Sequence, residues 1–505
     1  MKRSVCFLLA LLCLVSCVAC ASDQSEDNGD VSAVTTTAFS EGESDSDRVL
    51  DDLPELDFQN REFRILSRNR SGWTDDEITV KSANAEVVND AIFNRQTHVE
   101  ERLGIRMKNI QRNDVRPEDV IDEVKRVVKS VVKSGHTEYE VSASACFVTM
   151  AASLDGIYSN ILHFDHIDLE KPYWAQGFNE ASEYGGAQYA FTGAALLSMY
   201  RFAFVTLFNK NLFDKNNQEY LYTLVSNGEW TLDKQAELIP LFYKDLNGNQ
   251  INDEEDQHGF TNSDQIGADP YWSACEVEII NKNTDGVFEM VLDIERLSDM
   301  ADKVLYLYYG TDGSFVFKRQ ANDDEQVQMR KNFAQGKAAM TTLRMMEVES
   351  GDIRNMTDKY GIVPMPKFSV QQKNYRSLLH DQFTVFAVPN TVVVEDRPFV
   401  GAVLEALASE SYKTVTPAYY ETALKYKYMS DPESWKMLDL IYENIYIDPG
   451  IIYTSVLDSF HDAFRTMTVN NKNTVASTYA KKAKTCQNKL NRTILKKLDK
   501  YKERE

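Results

Sequence analysis

The sequence predicts an α/β protein divided into two lobes, and three observations carry that expectation. The chain has 505 residues, whereas single hydrophobic cores stop growing beyond roughly 250–300 residues. Its composition, 43% hydrophobic and 11% aromatic, belongs to a chain that buries a core rather than to a disordered one. Between Phe63 and Ala145 the pattern runs strand, helix, strand, helix, strand, an order that requires right-handed crossovers and a parallel sheet.

The N-terminus reads as an address. Lys2 and Arg3 precede the apolar run Val5–Val15, the charged and hydrophobic regions of a secretory signal peptide. That run is too short to span a bilayer, and no later stretch approaches the roughly 18 apolar residues a span needs. Leu14-Val15-Ser16-Cys17 resembles a bacterial lipoprotein box, so residues 1–16 are expected to be removed and Cys17 to be lipidated. Ala19-Cys20-Ala21 is the alternative, an ordinary cleavage site. Two acyl chains anchor stably where one is marginal, which places the protein on the extracellular face of the cell membrane.

Residues 17–57 are expected to form an acidic, disordered tether. Within 21–57, 12 acidic residues face one Arg, a local charge of −11, half of the chain's −22. An acidic functional surface therefore need not be invoked. The same balance, with an isoelectric point near 4.9, argues against nucleic acid as a partner, because phosphate affinity comes from clustered Lys and Arg. Of seven cysteines, Cys6 and Cys13 leave with the signal and Cys20 lies in the tether. Cys146, Cys275 and Cys486 remain, too widely spaced for zinc or a disulfide framework; Cys146 and Cys275 read as buried thiols.

The folded part opens with a strand, Phe63–Leu66. A helix follows between Ala83 and Leu103, with Val88, Ile92, Val99 and Leu103 on one stripe, ending before Gly104. Ile105–Ile110 is the second strand. Pro117 opens a helix with Val120, Ile121, Val124, Val127, Val128, Val131 and Val132 on one face, stopping at Gly135. Tyr139, Val141, Ala143 and Ala145 alternate with polar residues as a third strand. Residues 205–340 mix helices and loops, Trp230-Thr231-Leu232-Asp233 opening one helix. Extended segments recur at 338–343, 361–364 and 383–389, and the last hundred residues are mostly helical. There Asp431 is expected to cap a helix carrying Trp435, Leu438, Ile441 and Ile445 on one side. The basic tail from Lys481 to Arg504 reads as a solvated helix face.

Several segments together resemble the extracellular solute-binding proteins of ATP-driven importers, the maltose-binding-like family. They are Ala91–Ile105, Leu207–Phe213, Gly228–Lys234, Phe333–Thr341 and Tyr360–Pro366. The resemblance covers about residues 60–505 by order of segments. It implies a two-lobed periplasmic-binding-protein-like fold, lobes hinge-connected with a ligand cleft between them. Lobe 1 would be 58–203 plus 342–410 and lobe 2 would be 204–341 plus 411–505. It also implies ABC permease membrane subunits as partners, a small-molecule solute as ligand and a monomeric chain.

The sharpest local signal is the loop Asp245–Asp256. Asp245, Asn247, Asn249, Asp253 and Asp256 place oxygens at positions 1, 3, 5, 9 and 12, and Ile251 offers its carbonyl at position 7, the ligand order of a Ca²⁺ loop. Gln250 in place of glycine and Asp256 in place of a long glutamate depart from that order, and an acidic turn that binds nothing is the plain alternative. Aromatic residues beside turns suit a carbohydrate cleft, because a sugar's C–H face stacks on a ring: Tyr173, Trp174, Tyr271, Trp272 and Tyr419 are candidates, core packing the alternative. Trp230 and Trp435 lie on helical patterns and read as structural. Arg344, Glu347, Asp381 and Gln382 flank extended segments at the implied cleft floor, where an interlobe salt bridge is equally consistent. Trp73 sits in a turn beyond the first strand, at the sheet edge where ligands of open α/β sheets bind.

No nucleophile elbow, zinc-protease, phosphate-loop or dinucleotide motif is present. The expectation is a non-enzymatic receptor that captures a solute, a sugar or oligosaccharide, and hands it to a permease. A surface carbohydrate-active enzyme and a polysaccharide-adhering lipoprotein are the rivals.

Overall fold

In a computed structural model of the protein, the described residues are 51–113, 117–319, 325–425 and 432–502. The signal peptide, Cys17, Cys20, the expected cap Asp431 and the side chains of Val120 and Ile121 lie outside them. Eleven strands occur among the described residues: β1 (Arg61–Asn69), β2 (Ile105–Asn113), β3 (Val141–Ala145), β4 (Phe204–Asn209), β5 (His258–Ser263), β6 (Ile280–Lys282), β7 (Phe288–Met290), β8 (Ser314–Phe317), β9 (Ala338–Arg344), β10 (Tyr360–Val363) and β11 (Thr384–Ala387).

They form two larger sheets and a hairpin of β6 and β7. The first sheet has the order β11-β3-β1-β2, with β1 parallel to both neighbours and β11 antiparallel at the edge. The second has the order β10-β4-β9-β5-β8, with β9, β5 and β8 mutually parallel and β4 antiparallel to both its neighbours, β10 and β9. Both belong to one contact unit.

The helix Val87–Leu103 buries Ile92, Val99 and Leu103, as its stripe requires. It starts where the Glu86 carboxylate accepts from the Asn89 N–H, and it stops at Gly104, whose left-handed φ of 58° lets Asp57 approach where a Cβ would stand 2.1 Å from Oδ1. The helix Pro117–Ser134 buries Val124, Val128 and Val131. All five residues of β3 are buried. The reason is position: β3 lies between β1 and β11, and the helices Pro117–Ser134 and Cys146–Ser153 pack on it. The serines of the strand are covered with the rest, Ser142 Oγ donating to Ala387 O at 3.0 Å.

The chain passes between the sheets in segments that lie side by side. Ala203 bridges Leu379 in antiparallel fashion, with Phe204 N–H donating to Leu378 O and His380 N–H to Phe202 O, both at 3.0 Å. A third segment joins them where Ser377 bridges Ile445. These are the connections that the hinge expectation calls for.

Three boundaries fall elsewhere than expected. The return to the first sheet comes between β10 and β11, not at residue 342, because β9 runs unbroken through 338–344 and β10 pairs with β4. Residues 411–425 pack on Val87–Leu103 beside the first sheet, Arg95 donating to Ser411 Oγ at 2.9 Å. Residues 51–57, assigned to the tether, are bound to the fold: Arg102 grips Asp51 through two hydrogen bonds of 2.8 and 2.6 Å, and Leu53 and Leu56 pack on the core. Two leucines and a paired carboxylate offset the ordering cost that an all-polar stretch cannot.

The C-terminal helices Val475–Lys489 and Lys496–Lys502, with the π-helical turn Leu490–Leu495 between them, are solvated on one face only. Val475, Tyr479, Cys486, Leu490, Ile494 and Leu498 are buried on the other. Cys146, Cys275 and Cys486 are free, buried thiols; burial pushes Cys275 up to about 12 and Cys486 to about 11. No helix among the described residues is long and apolar enough to cross a membrane.

Candidate functional site

The crossing segments deliver one polar cluster. β1 ends at Asn69, and Arg70 begins a turn in which the Trp73 and Thr74 N–H groups both donate to Arg70 O at 2.9 Å, with Gly72 at φ 73°. This turn holds the Trp73 ring half-buried, edge-on to Phe202 and His380, each at 5.4 Å between centroids. Arg201, the last residue before the crossing, fixes the turn from behind by donating to Trp73 O at 2.6 Å while pairing with both oxygens of Glu349 at 2.9 Å.

β9 ends at Arg344, opposite Phe204, and the 3₁₀ turn Met345–Glu349 folds Glu347 back so that Arg344 donates to its Oε1 at 2.7 Å. Glu347 Oε2 accepts from Arg330 at 2.8 Å. The guanidinium of Arg70 lies 3.5 Å from the Trp73 ring centre and that of Arg344 4.6 Å, both within cation–π range. Gln382, just before β11, accepts from Arg70 at 2.7 Å through its side chain and from Arg68 at 2.7 Å through its carbonyl.

His380 and Asp381 complete the group, Asp381 Oδ1 standing 3.3 Å from His380 Nδ1. Burial holds the imidazole neutral, well below its usual range, and Arg344, Arg465, Arg70 and Arg68 reinforce this. Burial also pushes the Asp381 carboxyl up to about 6; Asp269 and Asp462 act in the same sense, against Arg465 and His461. Arg465 is fixed by Asp269 through two hydrogen bonds of 2.7 and 2.5 Å.

Of the residues predicted from sequence, Trp73, Arg344, Glu347, Asp381 and Gln382 therefore come together. Tyr173 and Trp174 do not. Both are buried in the first lobe, where Tyr173 OH and Trp174 Nε1 donate to Glu405. Tyr271 and Trp272 are core residues of the second lobe, Trp272 packed edge-on against Phe464 and Tyr479. A turn earlier in the same stretch, Asp269 is what reaches the cluster, through Arg465. Tyr419 is buried and donates to Glu349 at 3.0 Å, behind the Trp73 turn. It lines a separate cavity of about 320 Å³ with Asp75, Asp76, Arg201 and Glu349. In each case the neighbouring turn pointed to a ligand, and tertiary packing claimed the ring instead. Trp230 is structural as expected, its Nε1 donating to Pro364 O at 2.9 Å.

Sequence reading missed Arg68, Arg70, Arg330, His380, Asp269 and Arg465. Arg68 and Arg70 carried a usable signal, since they occupy the same carboxyl end of β1 that singled out Trp73.

The Asp245–Asp256 loop folds as a ring of side-chain bonds. Asp245 accepts from Gly248 N–H at 2.6 Å and Gln250 N–H at 2.8 Å, and Asn249 Nδ2 donates to Asp253 at 2.7 Å. Gln250 adopts φ 60°, the left-handed turn that glycine usually supplies at this position. Asp256 differs from expectation: its oxygens accept from Leu246 N–H, Tyr243 OH and Asp253 N–H, so it closes the base of the loop. Among the described residues no three His, Cys, Asp or Glu side chains converge as a metal cage. Asp245, Asn247, Asn249, Asp253 and the Ile251 carbonyl are the oxygens left to meet a hard cation.

Among solved structures, the chain is similar to the substrate-binding protein Lmo0181 from Listeria monocytogenes in complex with cycloalternan, at 13% identity and TM-score 0.52, over 86% of this chain and 99% of that one. UgpB from Mycobacterium tuberculosis, in complex with glycerophosphocholine, matches at 13% and 0.53 over 86% and 99%. Maltose-bound MalE3 from T. maritima matches at 13% and 0.51 over 84% and 99%. The fold is that of a two-lobed solute-binding protein. No protein-family model and no curated protein matches the sequence.

Proposed function

We propose that the protein is a membrane-tethered extracellular receptor that captures a small solute, a sugar or oligosaccharide, and delivers it to an ABC permease by hinge closure. One observation carries this reading: the polar cluster around Trp73 and Arg344 is built on the segments where the chain crosses between the two sheets. A solute held there touches both sides of the hinge, and it shifts the population only as far as it prefers the closed form. Binding energy suffices, and no bond of the solute need change. Two of the three ligands named for the similar structures, cycloalternan and maltose, support a carbohydrate. The lipoprotein box supports lipidation at Cys17, and with it the extracellular site.

The test is small-angle scattering on the purified protein with solutes picked by thermal shift. A binder at a hundredfold excess over Kd adds about 2.7 kcal/mol of stability. The expected result is a fall in the radius of gyration with the solute recovered intact. Binding without compaction favours the adhering lipoprotein, and hydrolysed product favours the enzyme.

Calcium is proposed as a structural clamp on the Asp245–Asp253 ring, where the cation would replace the Asn-to-Asp253 hydrogen bonds. Adding Ca²⁺ is expected to raise the melting temperature of the wild type and to leave the Asp245→Asn/Asp253→Asn double variant unmoved. An undiminished response in that variant refutes the assignment.

A further inference from the structure

We infer that the solute carries an oxyanion, in its simplest form the carboxylate of a uronate sugar, and that the oxyanion docks at Arg344 with Arg68 and Arg70 beside it. The inference rests on the receptor reading and narrows its substrate class.

Arg344 is the starting point. It is 2% exposed, and its Nη2 donates to Glu347, but Nε and Nη1 are buried with no hydrogen-bond partner among the described residues. A buried donor left without an acceptor is costly, and more so when it is charged. Both Glu347 oxygens are already engaged, one by Arg344 Nη2 and the other by Arg330. An acceptor brought by the ligand, entering as the lobes part, satisfies both donors.

Charge decides what kind of acceptor. Arg68, Arg70, Arg344 and Arg465 all lie close enough to His380 to disfavour its protonation. Gln382, on which Arg68 and Arg70 converge, is a neutral acceptor. The carboxylates beside the cluster leave it short of negative charge: Glu347 is shared by two arginines, Asp269 is taken by Arg465, Asp381 stands beside His380 with its carboxyl raised by burial to about 6, and burial likewise raises Glu77, whose charge reaches Arg68. Gathered guanidiniums repel one another, and an anion relieves that repulsion where a hydroxyl does not. Trp73 adds a second argument. A neutral sugar asks for an open ring face, yet guanidiniums from Arg70 and Arg344 lie over this ring. The aromatic residue of the cluster displays cations.

The experiment is calorimetric titration of the full chain with trigalacturonate, its fully methyl-esterified form, maltotriose, glucose 6-phosphate and glucose 6-sulfate, with scattering on every binder. Binding of at least one acidic probe, with the ester and maltotriose at least tenfold weaker, is the expected result; which acid binds separates carboxylate from phosphate and sulfate. Arg344→Gln is expected to lose at least tenfold in affinity. Arg70→Gln, at a half-buried position, should lose comparably and guards against misfolding of the first variant. Equal binding of trigalacturonate and its ester, or no binding by any acid, overturns the inference. Maltotriose binding with compaction while the acids fail leaves the receptor reading standing and removes only the oxyanion. An acid that binds without compaction keeps the oxyanion site and removes the receptor.

Discussion

Replacing Trp73 by Ala is expected to weaken solute binding between tenfold and a hundredfold, equivalent to about 1.4–2.8 kcal/mol, with a much smaller loss of folding stability. The ring meets Arg70, Arg344, Phe202 and His380 at once, so its removal frees two guanidiniums to wander from the geometry that meets a ligand. Stability suffers less because the ring is half-buried and its turn is secured independently: Arg201 donates to the backbone carbonyl of residue 73, which Ala retains. Isothermal titration beside urea denaturation separates the two effects. A stability loss as large as the loss in binding energy would make Trp73 a core residue.

The largest expected stability effect lies elsewhere, at Glu405 on the helix Arg397–Glu410. This carboxylate is 2% exposed and accepts from Tyr173 OH, from Trp174 Nε1 at 3.1 Å and from Asp168 N–H at 3.3 Å. Glu405→Ala leaves two buried aromatic donors without an acceptor and opens a void, for an expected loss of about 3–5 kcal/mol by chemical denaturation. Glu405→Gln keeps the volume and one acceptor and is expected to lose about half as much. Burial raises the Glu405 carboxyl from its ordinary 4.5 to about 7, outweighing the donors that favour its charge. Because the folded state prefers the protonated form, this group's contribution is complete below about pH 4.5 and is lost as pH rises toward 7. The stability difference between wild type and Glu405→Gln should therefore move in the wild type's disfavour across that window; a difference flat with pH would show that the carboxyl titrates normally.

Glu405 also explains why the aromatic candidates misled. Tyr173 and Trp174 follow Pro172 in a turn, the setting in which exposed rings serve ligands. Their acceptor is more than 230 residues away along the chain. No local pattern announces a pairing of that separation. The same holds for Tyr419 and Glu349, 70 residues apart, whereas Arg344 and Glu347 meet three residues apart within one turn and could be read directly.

Short-range order was thus determined by the sequence alone. The stripe of Val88, Ile92, Val99 and Leu103 and the run from Val124 to Val132 need only the 3.6-residue period to specify two helices, and the intervening strands need only length and β-branching to follow. The length of the chain required more than one core, and the order of its segments disclosed the two-lobed fold. What tertiary structure decided was which polar side chains meet. Arg68, Arg344, Gln382 and Arg465 stand far apart in sequence, and they become neighbours because two sheets are joined by segments that lie against one another. Periodicity encodes the face a residue presents; which charges finally share that face depends on how distant strands are paired, a choice made by the energy of the whole packed core.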